Sequence, residues 1–365
     1  MLGDFENNLA ADQGEDYLSG GADDDELYGY GGSDILVGGT GNDKLVGGAG
    51  QDIYIFNKGD GSDIVIDNKA EKNIIRFGEG VLSGDITLRL GSLMLDLGNG
   101  DAIHIENFNR DDVYNSVAID SFEFADGSAL STTELLARGF DLDGTALGDV
   151  LYGTNITDRM QGFGGNDVLL GFGGDDTLIA GGGNDLLEGG EGNDTYVLAL
   201  GYGADANDDY ISDTQGSNTL QIDGAQASDL NLGLAVDSAS IIVSYGGAAN
   251  RVTIKDGLTT AAISTLQVGG QSLNFAQFVG ETLQTKVTTT TIADGQQLTG
   301  GAIADELAVF NNSTIVSGGR GNDKVKLGRA NLGATVQIRR GDGVDSITGS
   351  DALRQGGSNT LAFGS

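Results

Sequence analysis

A period of nine residues governs two stretches of this sequence. The unit reads Gly-Gly-x-Gly-x-Asp-x-Leu-x, and consecutive copies run from Gly38 to Val46 and from Gly47 to Ile55. Its aspartate recurs in register in a first array, Asp16, Asp25, Asp34, Asp43 and Asp52, and in a second array, Asp149, Asp158, Asp167, Asp176, Asp185 and Asp194. Only 54 of the 365 residues are acidic, so this register is not a chance pattern. So short a period predicts a repeat architecture whose units stack on their neighbours.

Stacking brings the aspartates together in columns. Two units form one coil, so residues eighteen apart in the sequence lie above one another, with strands about 4.8 Å apart. The segment Asp-x-Leu-x is a short strand that points its leucine inward, and the glycines turn the corner because they accept positive φ without a Cβ clash. Two bare carboxylates at this spacing repel by about 3–4 kcal/mol at an effective dielectric near 20. A cation must lie between them.

Calcium is the cation that suits such turns. Ca²⁺ takes about six to eight oxygen ligands in a flexible geometry, whereas Mg²⁺ demands an octahedron and dehydrates reluctantly. The chain has 54 acidic and 19 basic residues and a formal charge of −35, which argues against nucleic acids and anionic membranes as partners. Cysteine is absent, so disulfides and thiolate metal sites are excluded.

Residues 14 to 63 and 144 to 205 resemble the nonapeptide repeats of the RTX (repeats-in-toxin) family, whose members are Ca²⁺-binding parallel β-rolls. The resemblance implies that the aspartate side chain and the backbone carbonyls of the first five positions of each unit bind the ion. Besides the eleven aspartates, the implied metal ligands are Asp305, Asp323, Gly29, Gly31, Gly38, Gly39, Gly41, Gly162, Gly164, Gly165, Gly171, Gly173, Gly174, Gly181, Gly183, Gly318 and Gly321. One site is expected for each pair of aspartates eighteen apart, which gives three in the first array, four in the second and one between Asp305 and Asp323.

Residues 74 to 140 lose the glycine pattern and alternate like strands. Leu93, Leu95 and Leu97 precede a Gly98–Asp101 turn, and Ile103 and Ile105 follow it, which predicts an antiparallel hairpin. This stretch looks like the β-rich domain that accompanies RTX repeats, and a looser copy runs from 230 to 283. We therefore predict an all-β fold in which tandem parallel β-rolls, the RTX solenoids, alternate with small antiparallel β-hairpin domains.

The long spacing between equivalent segments sets the expected organisation. Asn73-Ile74-Ile75, Asn218-Thr219-Leu220 and Asn359-Thr360-Leu361 follow the successive arrays, and the third array is eroded because Thr314 replaces an aspartate. The expected units are a first roll at 1–67, an antiparallel domain at 68–140, a second roll at 141–213, an antiparallel domain at 214–290, a degenerate third roll at 291–350 and the start of a further β domain at 351–365. We expect the chain to be an excerpt of a longer tandem protein.

Other polar residues carry weaker signals. Asp63 and Asp205 fit capping and metal binding equally well, whereas Asp141 and Asp143 fit a solvated turn better than a ligand role. His104 is the single histidine and fits a strand surface better than a catalytic base. The sequence contains no His-Glu-x-x-His, no Gly-x-Ser-x-Gly and no cysteine nucleophile, so we do not expect an enzyme.

Two functions remain open at this point. The first is a calcium-binding structural region of a large secreted bacterial protein, an adhesin, surface or toxin-like protein, which is exported by type I secretion and folds on Ca²⁺ at the cell surface or beyond it. The alternative is the non-catalytic RTX region of an extracellular protease, lipase or polysaccharide-modifying enzyme. Besides calcium, the candidate partners are surface polysaccharide and neighbouring repeats of the parent protein, without membrane insertion by this segment.

Overall fold

The computed structural model describes residues 8–69, 71–200, 207–234, 240–246, 250–257 and 263–283, together with seven short strands between 297 and 364. The described residues are almost entirely β structure. The described α-helices are α1 (Val113–Ser116), α2 (Thr132–Leu136) and α3 (Phe275–Leu283), and three short 3₁₀ helices lie at Ser83–Asp85, Arg110–Asp112 and Ala227–Asp229. No described helix is long and apolar enough to cross a membrane.

The first array forms a parallel β-roll. Its strands are β1 (Asn8–Ala10), β2 (Tyr17–Ala22), β3 (Glu26–Gly31), β4 (Ile35–Thr40), β5 (Lys44–Ala49), β6 (Ile53–Phe56), β7 (Ser62–Ile66) and β8 (Asn73–Phe77). Odd-numbered strands pair in parallel along one wall, and even-numbered strands pair along the other. Leu18 pairs with Leu36 and Leu27 with Leu45, so the register is eighteen residues and two units make one coil, as the period predicted.

The segment after the first roll contains the predicted hairpin. Its strands are β9 (Thr87–Arg89), β10 (Leu93–Gly98), β11 (Asp101–Ile105), β12 (Ile119–Glu123) and β13 (Ala129–Ser131). Strand β10 pairs antiparallel with both β9 and β11. Leu93, Leu95, Ile103 and Ile105 are buried, so the alternation identified the inward face correctly.

The second roll follows with the same architecture. Its strands are β14 (Phe140–Asp143), β15 (Val150–Tyr152), β16 (Asp158–Gln161), β17 (Val168–Gly173), β18 (Thr177–Ile179), β19 (Leu186–Glu191), β20 (Thr195–Ala199), β21 (Asp208–Ile211) and β22 (Asn218–Asp223). A second hairpin segment comprises β23 (Asn231–Leu234), β24 (Ile241–Tyr245), β25 (Asn250–Ile254), β26 (Ile263–Val268) and β27 (Gln271–Asn274). Strand β25 pairs with β21 as β11 pairs with β7, so the two hairpin segments are equivalent.

The predicted alternation of rolls with separate hairpin domains is not confirmed, because the hairpins continue the walls of the rolls. Strand β11 pairs in parallel with β7, and β9 pairs in parallel with β14, so one sheet of 14 strands runs through both rolls. The apolar side chains of both rolls and both hairpin segments form one cluster from Leu18 to Val279. A hairpin strand with one apolar face can extend a roll wall because both bury alternate residues toward the same interior.

The third unit is described only through short strands. They are β28 (Gln297–Thr299), β29 (Glu306–Val309), β30 (Ile315–Ser317), β31 (Lys324–Leu327), β32 (Thr335–Arg339), β33 (Ser346–Gly349) and β34 (Thr360–Gly364). They pair in parallel, β28 with β30 and β29 with β31 at a register of eighteen residues, which agrees with a third roll. The predicted ligands Asp305, Asp323, Gly318 and Gly321 lie outside the described residues, as does Asp205.

Candidate metal centres

The aspartates of the first array form two hydrogen-bonded ladders, one on each edge of the roll. The backbone N–H of Asp16 donates to Oδ1 of Asp34 at 2.8 Å, and that of Asp34 donates to Oδ1 of Asp52 at 2.8 Å. On the other edge, Asp25 N–H donates to Oδ1 of Asp43 at 2.8 Å. The structure therefore brings together the three pairs that the eighteen-residue spacing predicts.

The second array repeats this arrangement four times. Backbone N–H groups donate to Oδ1 of the aspartate eighteen residues later at 2.8–2.9 Å, in the pairs Asp149–Asp167, Asp158–Asp176, Asp167–Asp185 and Asp176–Asp194. Each bond fixes one carboxylate oxygen against the preceding coil. The orientation of the second oxygen then decides what the edge of the roll can bind.

The second oxygen of the later aspartate in each pair is buried and accepts no hydrogen bond. These seven atoms are Oδ2 of Asp34, Asp43, Asp52, Asp167, Asp176, Asp185 and Asp194. All seven side chains are at most 2% exposed. A buried carboxylate oxygen without a donor costs several kcal/mol unless a cation or a proton neutralises it. Among the described residues, no three carboxylate or imidazole groups converge on one point, so further ligands must come from the backbone.

Backbone carbonyls converge on these oxygens at the first glycine of each turn. A Cβ on Gly29 would lie 2.4 Å from Oδ2 of Asp34 and 2.6 Å from the carbonyl oxygen of Gly47. A Cβ on Gly171 would lie 2.1 Å from Oδ2 of Asp176 and 2.6 Å from the carbonyl oxygen of Gly189. Gly38 and Gly162 lie against Asp43 and Asp167 in the same way. Carboxylate and carbonyl oxygens around a small gap are the donor set that Ca²⁺ prefers.

Later glycines of the turn lie against the carbonyls of the coil before. Gly39, Gly41, Gly165, Gly174, Gly181 and Gly183 have φ between 102° and 147°, and a Cβ on any of them would fall 1.8–2.4 Å from a backbone atom. Gly31 is less tightly packed, with a side-chain oxygen at 3.0 Å as its nearest neighbour. Gly164 and Gly173 have room for a side chain, since the nearest neighbour of a Cβ would lie 3.8 Å away at each. Their role as metal ligands through backbone carbonyls stays a prediction.

We expect Gly183→Ala to destabilise the second roll by more than about 2 kcal/mol, because the residue combines positive φ with close backbone contact. Its Cβ would lie 1.8 Å from the carbonyl oxygen of Gly165. Gly173→Ala is the matched control, expected to stay within about 0.5 kcal/mol, since its nearest neighbour would be 3.8 Å away. Thermal unfolding in saturating Ca²⁺ measures both, and equal midpoints for the two variants would contradict the steric argument.

Burial raises the pKa values of several ladder carboxylates. The pKa of Asp43, Asp52, Asp185 and Asp194 is raised to about 6 in each case, mainly because burial removes water from the carboxylate. Burial raises the pKa of Asp176 to about 9, and the negative charge of Asp158 adds to the increase. These carboxylates are therefore poised to exchange protons for a cation near neutral pH.

Threonines close the first two turns of the second roll. Thr154 donates its backbone N–H to Oδ2 of Asp158 at 2.6 Å and its hydroxyl to the same oxygen at 3.1 Å. Thr145 does the same for Asp149, at 2.6 and 2.8 Å. Asp149 and Asp158, which we predicted as ligands, thus have Oδ2 hydrogen-bonded inside their own turns. The sequence indicates that these two turns differ from the others, since threonine replaces the second glycine of the repeat at both places.

Asparagine and aspartate residues outside the arrays continue the ladders. Asp43 N–H donates to Oδ1 of Asp63 at 2.9 Å, and Asp52 N–H donates to Oδ1 of Asn73 at 3.0 Å. In the second roll, Asp209 and Asn218 take these places, at 3.2 and 2.8 Å. Here the coil lengthens to 20, 21 or 24 residues. Sequence reasoning left Asp63 open and missed Asp209, because the inserted residues break the fixed period.

The remaining polar candidates lie away from the ladders. Asp141 pairs with Arg159, and Asp143 pairs with Arg89 at 2.7 Å. Both aspartates lie on strand β14, so the expected solvated turn is wrong. His104 lies on β11, where its Nδ1 is 2.9 Å from Oγ of Ser92. Its position on a strand surface is the one expected from the sequence.

Comparison with known families fits this geometry. The family described as the RTX calcium-binding nonapeptide repeat matches the chain four times, at residues 2–36, 28–63, 143–171 and 170–203. Both arrays are RTX calcium-binding repeats. The haemolysin-type calcium binding protein related domain matches residues 93–134, which confirms the resemblance seen in the first hairpin segment. The RTX repeats bind Ca²⁺ at multiple sites. The seven buried Oδ2 atoms without a donor, and the carbonyl oxygens that approach them at the first glycine of each turn, fit that ion.

No curated protein sequence matches the chain significantly. Among solved structures, the extracellular lipase LipA from Serratia marcescens is similar at 15% sequence identity and a TM-score of 0.25. The match covers 70% of this chain, and the chain spans 38% of the length of that lipase.

Proposed function

We propose that this chain is a calcium-triggered structural region of a large secreted bacterial protein, disordered without Ca²⁺ and folded with it. The observation that carries the proposal is the set of seven buried carboxylate oxygens that accept no hydrogen bond. Such oxygens oppose folding at neutral pH unless ions neutralise them. Calcium therefore supplies the free energy that the small apolar interior of a roll does not provide.

The charge of the chain supports folding outside the cell. With a formal charge of −35, the metal-free chain repels itself and stays extended, a state suited to export before folding. RTX repeats are typical of secreted proteins, and we propose type I secretion as the route. Because extracellular Ca²⁺ modules bind at about 10⁻⁴–10⁻³ M, the exported chain would fold on reaching the medium.

We also propose that the chain is structural rather than catalytic, within an adhesin, surface or toxin-like protein. His104 is the single histidine of the sequence, and its Nδ1 contacts only the serine hydroxyl among the hydrogen bonds described. A nucleophile–base pair would need a third group to orient the imidazole. The enzyme alternative concerns a catalytic domain elsewhere in a longer protein.

We expect the metal-free chain at pH 7.5 to lack most of its β signal in far-UV circular dichroism and to gain it cooperatively at about 10⁻⁴–10⁻³ M Ca²⁺. Mg²⁺ at the same concentration is the matched control, and it should restore little of the signal because it demands a strict octahedron of ligands and dehydrates reluctantly. Chelation should reverse the change. A chelated sample with an unchanged spectrum would refute the proposed function.

A further inference from the structure

The last turn of each array faces a coil that carries no repeat aspartate. In the first roll, Asn73 takes the ladder position above Asp52, and in the second roll Asn218 takes the position above Asp194. Oδ1 of each asparagine accepts the backbone N–H of the aspartate below it. An asparagine has no second side-chain oxygen and no charge with which to bind an ion. By the repeat pattern alone, each column of carboxylates would end at this point.

A carboxylate returns at the other end of the same turn. Asp213 lies five residues before Asn218, the interval that separates Gly189 from Asp194 in the preceding turn. Asp67 lies six residues before Asn73. We call the space between two array aspartates eighteen residues apart an inner cage. In an inner cage, this position is held by a glycine whose carbonyl oxygen approaches Oδ2 of the aspartate below, as that of Gly189 approaches Asp176. In the second roll the aspartate is therefore moved from the sixth place of the turn to the first, and in the first roll it lies one residue earlier. Each last cage thus has a second carboxylate nearby in the sequence of the turn.

A tyrosine hydroxyl completes each arrangement. A Cβ on Gly47 would lie 2.3 Å from the hydroxyl of Tyr54 and 2.4 Å from Oδ2 of Asp52, so these two oxygens converge on one point. The Tyr54 hydroxyl donates to Oδ2 of Asp67 at 2.6 Å. Asp52 is completely buried, and its Oδ2 accepts no hydrogen bond.

The second roll repeats these contacts independently. The Tyr196 hydroxyl donates to Oδ2 of Asp213 and accepts the backbone N–H of Gly189 at 2.9 Å. Asn218 Nδ2 also donates to Oδ2 of Asp213, at 3.0 Å. Oδ2 of Asp194 is buried beside them without a donor. Recurrence of tyrosine, aspartate and asparagine at equivalent positions argues for a common purpose.

We propose that each roll ends in a further Ca²⁺ site outside the repeat pattern, in which Asp52 and Asp67, or Asp194 and Asp213, bind one ion beside the hydroxyl of Tyr54 or Tyr196. The inference rests on the proposed function, since it assumes that the inner cages bind Ca²⁺. It adds two ions per chain to those of the aspartate pairs. Oxygen ligands from two carboxylates, a phenol and nearby carbonyls match the preference of Ca²⁺.

Native mass spectrometry of the full chain in Ca²⁺ counts the bound ions. We expect Asp213→Asn and Asp67→Asn each to lose one ion and the double variant to lose two, while the circular dichroism spectrum stays β-rich, because the amide oxygen still accepts the tyrosine hydroxyl. Asp223→Asn is the matched control, with the same charge change on an exposed side chain at the end of β22, and should lose none. An unchanged ion count in both Asp67 and Asp213 variants would overturn the proposal and identify the tyrosine–aspartate pairs as metal-free caps.

Terbium luminescence provides a second measurement that keeps every carboxylate. Tb³⁺ replaces Ca²⁺ in oxygen sites and is excited through a nearby tyrosine, and this chain has no tryptophan to interfere. We expect Tyr54→Phe and Tyr196→Phe each to remove a distinct part of the emission, whereas Tyr114→Phe, at an exposed tyrosine on α1, should not. If neither Tyr54→Phe nor Tyr196→Phe changed the emission, the proposal of terminal sites would be overturned, even if an aspartate variant failed to fold. If the unaltered chain bound no ions at all, the proposed function itself would fail.

Discussion

Asp176→Ala should lower the unfolding midpoint of the second roll by about 10–20 °C in saturating Ca²⁺ and remove two bound ions. Asp176 belongs to two pairs: its Oδ1 accepts the N–H of Asp158, and its own N–H donates to Asp194. A site held at a hundred times its Kd contributes about 2.7 kcal/mol, so losing two removes about 5 kcal/mol. Differential scanning calorimetry and native mass spectrometry measure the two effects.

The neighbouring residue provides the control for this substitution. Asp175 is exposed, and its Oδ1 accepts the N–H of Asn193 at 2.7 Å, outside the carboxylate ladder. Asp175→Ala makes the same change in net charge and should shift the midpoint by only a few degrees, with no ion lost. Equal effects of the two substitutions would mean that overall charge, rather than the cages, controls stability.

Acidification should stabilise the metal-free fold and weaken calcium binding at the same time. In the metal-free folded state, the pKa of Asp43 and Asp194 is raised to about 6 and that of Asp176 to about 9, against an ordinary value of 3.8. The folded state therefore binds more protons than the unfolded chain. The stability that this extra proton binding contributes is fully present below about pH 3.8, and it is lost as the pH rises through the range from 6 to 9.

We expect a chelated sample to show more β signal at pH 4.5 than at pH 7.5, and the Ca²⁺ midpoint to rise at least about tenfold from pH 7.5 to pH 5.0. At pH 5.0 a carboxylate of pKa about 6 must release a proton before it binds the ion, which costs about 1.4 kcal/mol. Sedimentation should accompany the measurement, because the acidic sample lies close to the pI of about 4.1. A metal-free β signal that falls on acidification would contradict the argument.

The periodic part of the molecule could be predicted from the sequence because period and geometry are directly linked there. The eighteen-residue register, the inward leucines and the pairing of Asp34 with Asp52 all follow from units of nine residues stacked two to a coil. The hairpin around Gly98–Asp101 could be predicted equally well, since its buried residues alternate with less buried ones along each strand.

The ends of the rolls could not be predicted in the same way. Insertions lengthen the coil there, so Asp209 lies 24 residues from its partner Asp185 and the period no longer identifies it. The threonines that replace the second glycine are visible in the sequence, but the period does not show that their hydroxyls reach Oδ2 of Asp149 and Asp158. The continuity of the hairpins with the rolls is a matter of strand pairing between distant segments, such as β9 with β14.

The continuous sheet has a mechanical consequence for a rod anchored at both ends. Tension along the stack acts across the ladders between coils, so the coils would peel away one after another rather than shear together. Each backbone hydrogen bond from an aspartate N–H to the carboxylate of the next coil, reinforced by a Ca²⁺ ion on the same carboxylate, would act as a clamp across one such junction. Because the clamps depend on ambient Ca²⁺, the same rod would be stiff and short in a calcium-rich medium and would lengthen under load as calcium falls.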